Sequence, residues 1–469
     1  MKHLIGTTRL AIGLLGGGLI FGAQAASMFP IATNSPGYLG VGAVWDGTNY
    51  LIGMQIPDGQ SSVGAQLVSS NGTPLGPFIF TGRTGGMPWA SFSGTNYLLT
   101  WADDANYPQD AIYGQCINRS GAPLAGPFPI SASSGRIDLQ GPQVVACAGG
   151  KFLVIWDDYR GGPSSVYGQL VSDAGTLVGG NFVIFPSTDG QNEANAGVVT
   201  DGTNFLVVCQ YNSTVAGNHN VSQGRFVFAN GVMGAAFDIG QSVSLDRNPM
   251  GLVFNGTNYL VLWPFNSQRN GQGDAIWSLR GRFVTPAGTF PANEFEVLGT
   301  NISPAYAIPA FDGANYLLSW IEGFSTPNSL IRMQFLNPNG APFGTSFIPF
   351  TSHHGKPPMF GSVGFGGGRY FAVTTVGTGF DVPGGEVYGA WIPSSATPPQ
   401  CNSGATYANQ HFSFTLTGTP GIPYVIQSAT NLASPVWTPM ATNISATSTS
   451  SYTDTSATPG ARFYRAVFD

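Results

Sequence analysis

The sequence predicts an all-β protein, a seven-bladed β-propeller followed by a small β-sandwich. Three observations carry this reading. The first is composition. Of 469 residues, 66 are Gly and 34 are Pro, aromatics make up 12%, and only 9% are Asp, Glu, Lys or Arg. An ordinary soluble domain carries about 25% charged residues. Exposed helices draw on Glu, Lys and Arg, whereas turn-rich β folds draw on Gly, Pro and Asn. The second observation is self-similarity. A phrase of the form Gly-Thr-Asn-Tyr-Leu returns at Gly47, Gly94, Gly202 and Gly256. Variants start at Gly150, Gly313 and Gly368, making seven copies at intervals of about 50 residues, the length of a propeller blade. The third is closure: six copies are followed by a short Phe-rich strand, and the seventh is not.

Residues 1–25 read as a secretory signal peptide. Lys2 and Arg9 form the positive start, Leu10 to Phe21 the apolar stretch, and Ala23-Gln24-Ala25 the small-residue cleavage site. The apolar run is shorter than the ~20 residues a membrane span needs, so no transmembrane helix is expected in the mature chain.

Residues 26–393 read as the propeller. Each copy holds four strand signals. Strand A is an apolar or alternating run, such as Pro142 to Ala146. An Asp-Gly, Asn-Gly or Ser-Gly turn leads into strand B, because a tight hairpin turn needs residues that tolerate positive φ. Strand B often reaches Trp: Trp101, Trp156, Trp263 and Trp320. Strand C carries a phrase such as Ile112-Tyr113-Gly114-Gln115 or Val166-Tyr167-Gly168-Gln169. Strand D has the form Phe-x-Ile, as in Phe128-Pro129-Ile130. One four-stranded sheet cannot bury both of its faces, so the copies must stack on one another. The seventh copy stops at Trp391-Ile392-Pro393, while Phe29-Pro30-Ile31-Ala32 has the form of a D strand. The segment at about 28–33 is therefore expected to complete the last blade and remove an open sheet edge.

Residues 394–406 are rich in Ser, Pro, Asn and Thr and read as a linker. Residues 407–469 read as an immunoglobulin-like or fibronectin III-like sandwich. Phe412 to Leu416 and Tyr424 to Ser428 alternate with period two, and Trp437 and Phe463 to Phe468 supply core aromatics.

The repeat phrase, with its Ile-Tyr-Gly-Gln partner, resembles a repeat of secreted bacterial β-propeller proteins. The tail, Ile426 to Leu432, then Trp437, then Phe463-Tyr464-Arg465, is similar to a C-terminal Ig-like sandwich appended to many secreted bacterial proteins. The resemblance implies a secreted or cell-surface protein. It brings no catalytic residues with it.

The chain contains no sialidase Asp box, no Asp-x-Asp-x-Asp-Gly loop, no Gly-x-Ser-x-Gly, no P-loop and no His-Glu-x-x-His. With 17 Lys and Arg against 23 Asp and Glu, a basic nucleic-acid surface is not expected. The four cysteines, Cys116, Cys147, Cys209 and Cys401, form no CxxC pair, so no zinc site is read from them. A Cys116–Cys147 bridge stays open.

The charges sort by face. In a propeller the B–C and D–A connections emerge on one face, and that face collects the acids. The best cluster is Asp103 and Asp104 of blade two with Asp157, Asp158 and Arg160 of blade three. Arg136, Asp138 and Glu322 belong to the same face. Such carboxylates would suit a Ca²⁺ ion or an acid/base pair on a sugar. For each single Asp the plainer role is a loop cap or an ion pair with Arg160. The Trp residues occupy one repeat position and are expected in the core. His353-His354 would point to opposite sides of a strand, which argues against one shared ion.

The reading favours a secreted, monomeric, non-catalytic propeller that binds a polysaccharide or cell-surface protein through its acidic loop face, without a cofactor other than a Ca²⁺ ion. The alternatives are a carbohydrate-active hydrolase or lyase using the same carboxylates, and a structural envelope protein sorted or attached by its C-terminal domain.

Overall fold

The computed structural model describes residues 28–33, 39–56, 62–105, 110–131, 143–147, 150–160, 162–187, 192–212, 221–241, 251–269, 275–299, 305–322, 329–350, 352–377, 385–394, 400–401, 405–408, 411–417, 423–431, 436–444, 449–455 and 462–468. The signal-peptide residues 1–25 lie outside them, as do Arg136 and Asp138.

Among the described residues the chain is all strand and turn, and it divides into two compact units. The larger is a propeller of seven antiparallel four-stranded sheets. Blade 1 runs Leu39–Trp45, Asn49–Ile56, Ser62–Ser69 and Pro74–Thr84; blade 2 runs Gly86–Phe92, Asn96–Asp103, Ala111–Asn118 and Phe128–Pro129. Blade 3 runs Gln143–Cys147, Lys151–Asp158, Ser165–Ser172 and Leu177–Phe185; blade 4 runs Asn192–Thr200, Asn204–Asn212, Val221–Phe228 and Phe237–Gln241. Blade 5 runs Gly251–Phe254, Tyr259–Arg269, Ala275–Val284 and Phe295–Leu298; blade 6 runs Ala305–Phe311, Tyr316–Glu322, Leu330–Leu336 and Pro342–Phe347. Blade 7 takes Pro358–Gly366, Arg369–Val376 and Glu386–Pro393 from the end of the propeller sequence and Met28–Ala32 from its start. The A strands touch their neighbours in order, and strand A of blade 7 touches strand A of blade 1, so the ring is closed.

The core lies between blades. Leu153, Ile155 and Val166 of blade 3 pack on Phe205, Val207 and Cys209 of blade 4. Ile31, Phe371 and Val387 of blade 7 pack on Tyr50, Ile52 and Met54 of blade 1. This is why strand B is apolar at almost every position rather than alternating. In blade 2 every residue from Tyr97 to Asp103 is buried, because both sheet faces meet a neighbour.

Trp101, Trp156, Trp263 and Trp320 are among the largest fully buried side chains, with Cys209 in the same slot of blade 4. Cys116 is a buried free thiol, so the bridge to Cys147 left open by the sequence is not formed.

The Gly of the Tyr-Gly-Gln phrase has a steric origin. A Cβ on Gly168 would stand 2.8 Å from Ile184 Cδ1 on strand D, closer than van der Waals contact allows. The Gln beside it braces the strand that follows. Gln169 Nε2 donates to Leu170 O at 2.9 Å and Val178 O at 3.2 Å.

The smaller unit has a four-stranded sheet of Gln400–Cys401, Thr406–Ala408, His411–Thr417 and Thr449–Asp454, and a three-stranded sheet of Pro423–Ala429, Thr438–Ile444 and Phe463–Phe468. They share a core of Phe412, Phe414, Leu416 and Ile426. Gln400–Cys401, inside the stretch read as a linker, pairs with Leu416 and Thr417.

Candidate functional site

The ends of the B strands, the starts of the C strands and the ends of the D strands meet on one face of the propeller, and this face carries the acids singled out in the sequence. Asp103 ends strand B of blade 2 on the same side as Trp101, since residues two apart share a face of a strand. It is 2% exposed. Arg83, at the end of strand D of blade 1, grips it with both prongs: Nε donates to Oδ2 at 2.6 Å and Nη2 to Oδ1 at 2.8 Å. The pair therefore ties blade 1 to blade 2. The Arg83 guanidinium also lies 3.9 Å over the ring of Tyr113.

Blade 3 repeats the device with a different donor. Trp156 Nε1 donates to Asp158 Oδ2 at 3.0 Å. Arg160, from the loop just beyond, donates from Nε to Oδ1 at 2.9 Å and from Nη2 to Oδ2 at 2.5 Å. Its guanidinium sits 4.4 Å over Tyr167. Burial works to raise the Asp158 carboxyl, but the hydrogen bonds from Arg160 and Trp156 outweigh it and hold the group below its ordinary range. In blade 6, Glu322 follows Trp320 by two residues and is gripped by Arg332 of strand C.

The shared pattern is Trp-x-acid with an arginine on the carboxylate, two-pronged at Asp103 and Asp158 and single at Glu322. Reading Asp103-Asp104 and Asp157-Asp158 as dipeptides hides it, because adjacent strand residues point to opposite faces. The spacing Trp101/Asp103, Trp156/Asp158 and Trp320/Glu322 was the available signal. Of the predicted site residues, then, Asp103, Asp158, Arg160 and Glu322 are joined into ion pairs. Asp104, just beyond strand B of blade 2, is partly exposed, and Asp157 is buried at the end of its strand.

A second group was set aside in the sequence. His353 and His354 lie in the connection from blade 6 to blade 7, beside Glu386 and Tyr388 at the start of strand C of blade 7. The two histidines are not on a strand. His353 N donates to Lys356 O at 3.0 Å and Lys356 N to His353 O at 2.9 Å, which closes a two-residue turn. His354 (φ 51°) and Gly355 (φ 74°) both adopt positive φ. The turn brings the rings together, with centroids 4.0 Å apart, so the expectation of opposite-facing side chains is corrected. His353 Nδ1 is 3.5 Å and His354 Nδ1 3.6 Å from Glu386 Oε2. The Tyr388 hydroxyl donates to Glu386 Oε2 at 2.8 Å and lies 2.9 Å from His353 Nδ1. Among the described residues, His353, His354 and Glu386 form a group of three side chains whose donor atoms lie close enough together to hold one metal ion.

No protein-family model matches the chain, and no curated protein sequence does. Solved structures do. The β-propeller domain of the Trilobed protease from Pyrococcus furiosus is similar over 75% of this chain and 95% of that one, at 8% identity and a TM-score of 0.46. A thermostable family-43 glycoside hydrolase covers 57% of this chain and 96% of its own, at 14% identity and a TM-score of 0.36. An α-L-arabinanase of Penicillium chrysogenum complexed with arabinobiose covers 67% and 95%, at 12% identity and a TM-score of 0.40. At these identities the likeness concerns the fold alone.

Proposed function

We propose that this protein is an exported, non-catalytic binding propeller whose loop face takes a glycan or a cell-surface protein. The observation that carries the reading is the state of the acids on that face. A carboxylate pair that cleaves a glycosidic bond needs one group protonated and one ionised near neutral pH. Asp103, Asp158 and Glu322 each hold an arginine instead, and Asp158 is kept ionised. A fixed guanidinium stacked on an aromatic ring, as at Arg83 on Tyr113 and Arg160 on Tyr167, offers rigid donors and flat apolar surface beside each other. That combination suits recognition of hydroxyl-rich or polar surfaces. Export rests on the signal-peptide reading of residues 1–25.

The test is retention of residues 26–469 on a panel of immobilised polysaccharides, with mass spectrometry of the supernatant. Retention without released oligosaccharide is the expected result. Release of defined products would make the protein a hydrolase or lyase and overturn the non-catalytic reading. Neither retention nor release would exclude the tested glycans and leave a protein partner or a structural role in the envelope. On a retaining polysaccharide, Asp104→Ala is expected to weaken retention several-fold with an unchanged melting temperature, since Asp104 is a partly exposed acid on this face.

A further inference from the structure

We propose that His353, His354 and Glu386 form a three-ligand site for a zinc-class divalent cation on the loop face of the propeller. The inference goes beyond the binding reading and stands whether or not a glycan is found.

The geometry is the first support. Tetrahedral zinc with ligand bonds of about 2.0–2.1 Å sets neighbouring ligand atoms about 3.4 Å apart. Both imidazole Nδ1 atoms lie at that spacing from one carboxylate oxygen, 3.5 and 3.6 Å from Glu386 Oε2. One donor atom from each of the three residues falls within 4.8 Å of the others.

The turn is the second support, and it is independent of distances. A two-residue hairpin turn with positive φ at both positions is the setting of Asn-Gly. Here the first position is His354, at φ 51°. His is among the few non-glycine residue types that tolerate this backbone, so the turn can hold an imidazole beside that of His353 where most side chains would be strained.

The third support is the surrounding shell. Ligand histidines and carboxylates are commonly oriented by an outer hydrogen-bond partner. Tyr388 is placed for this. Its hydroxyl donates to Glu386 Oε2, and its ring packs on His353 with centroids 4.7 Å apart. An incoming cation displaces the Tyr388 hydroxyl from His353 Nδ1 and leaves its bond to Glu386.

The donor set chooses the ion. Two imidazoles and one carboxylate suit Zn²⁺ and its transition-metal neighbours. Ca²⁺ asks for six to eight oxygens and finds one side-chain carboxylate here. Side-chain exposure rises from 19% at Glu386 to 39% at His353 and 69% at His354. The fourth coordination position therefore faces solvent, where water or an oxygen of a bound ligand would complete it.

The experiment is calorimetric titration of the chelator-stripped full chain with Zn²⁺ alone. One equivalent is expected to bind. His354→Asn removes a ligand while installing Asn-Gly, the preferred sequence for this turn, so the metal-free variant should melt at or above the wild-type temperature. It should bind Zn²⁺ more than tenfold more weakly, and Glu386→Gln should do the same. His411→Ala, in the smaller unit, should leave binding unchanged. Saturable binding that persists in both ligand variants would overturn the proposal, as would no saturable binding by the wild type. Displacement of Zn²⁺ by millimolar Ca²⁺ would overturn the choice of ion.

Discussion

At the scale of single residues, Asp158 shows how one side chain serves two demands. It is 1% exposed, and an unpaired carboxylate there would be costly. Arg160 and Trp156 supply three side-chain hydrogen bonds to it. Replacement by Asn is expected to cost about 1–3 kcal/mol at pH 7, the range for hydrogen bonds to charged groups, toward the lower end because Arg160 is partly open to solvent. The pH dependence follows from the direction of the shift. A carboxyl held lower in the folded state stabilises above its unfolded value, about 3.9. That contribution is lost as pH falls through the lower folded value. Thermal unfolding of wild type and Asp158→Asn should therefore differ at pH 7 and converge at strongly acidic pH; parallel curves would contradict the ion-pair account. Cys116 gives a second residue-level expectation. Burial, with Asp173 adding to it, pushes its thiol up to about 11, and the thiolate is the reactive form. A thiol reagent should label it slowly in the native protein and rapidly in denaturant.

At the scale of the blade, the repeated aromatic of strand B acts as a latch. Tyr50, Tyr97, Phe152, Phe205, Tyr259, Tyr316 and Tyr370 are all buried. Where it is Tyr, its hydroxyl is directed at the A–B turn region of the preceding blade. Asn255 Nδ2 donates to the Tyr316 hydroxyl at 2.7 Å, Tyr370 donates to Asn315 O at 3.1 Å, and Tyr50 donates to Gly366 O at 2.9 Å. The Tyr97 and Tyr259 hydroxyls, raised first by burial, face Asp46 and Asp201. The two Phe residues follow blades whose turns carry Ser93 and Ala148 at the equivalent position rather than Asp or Asn. At six of the seven junctions the hydroxyl and an Asp or Asn four residues before the preceding blade's aromatic position are present or absent together; Tyr50 instead meets the backbone carbonyl of Gly366. Tyr316→Phe and Asn255→Ala should each cost about 1 kcal/mol. A double-mutant cycle in denaturant should show them coupled; additive effects would deny the latch. Gly168→Ala, with its Cβ pressed on Ile184 and Phe182, should cost about 1–3 kcal/mol as an overpacked core position.

At the scale of the whole propeller, the ring is held shut by a strand from the beginning of the described chain. Met28–Ala32 pairs antiparallel with Glu386–Pro393. Phe29 lies against Phe371 at 5.9 Å and Trp391 at 5.6 Å between centroids. Deleting residues 28–32 would expose the edge of Glu386–Pro393 and the aromatic group beneath it. Exposed edges template aggregation. The truncated protein should melt lower and elute as larger species in size-exclusion chromatography; a monomer with the wild-type melting temperature would count against closure as a source of stability.

The repeat, its four strands and the burial of the Trp positions were legible in the sequence because they depend on local signals: period-two alternation, Gly-centred turns and recurrence at a fixed spacing. The Phe29-Pro30-Ile31 match to later D strands was legible for the same reason. The partners of the acids were not. Arg83 and Asp103 belong to different blades, and which guanidinium meets which carboxylate depends on how neighbouring sheets stack. The histidines were misread because the strand rule of opposite faces was applied to a segment that turns at His354 and Gly355. Their meeting with Glu386 needs both that turn and the packing of the connection after blade 6 against strand C of blade 7. The sequence by itself determined the architecture, which is a sum of local preferences repeated seven times; only the tertiary structure decided which carboxylates, guanidinium groups and imidazoles face one another, because those distances are set by the closed ring.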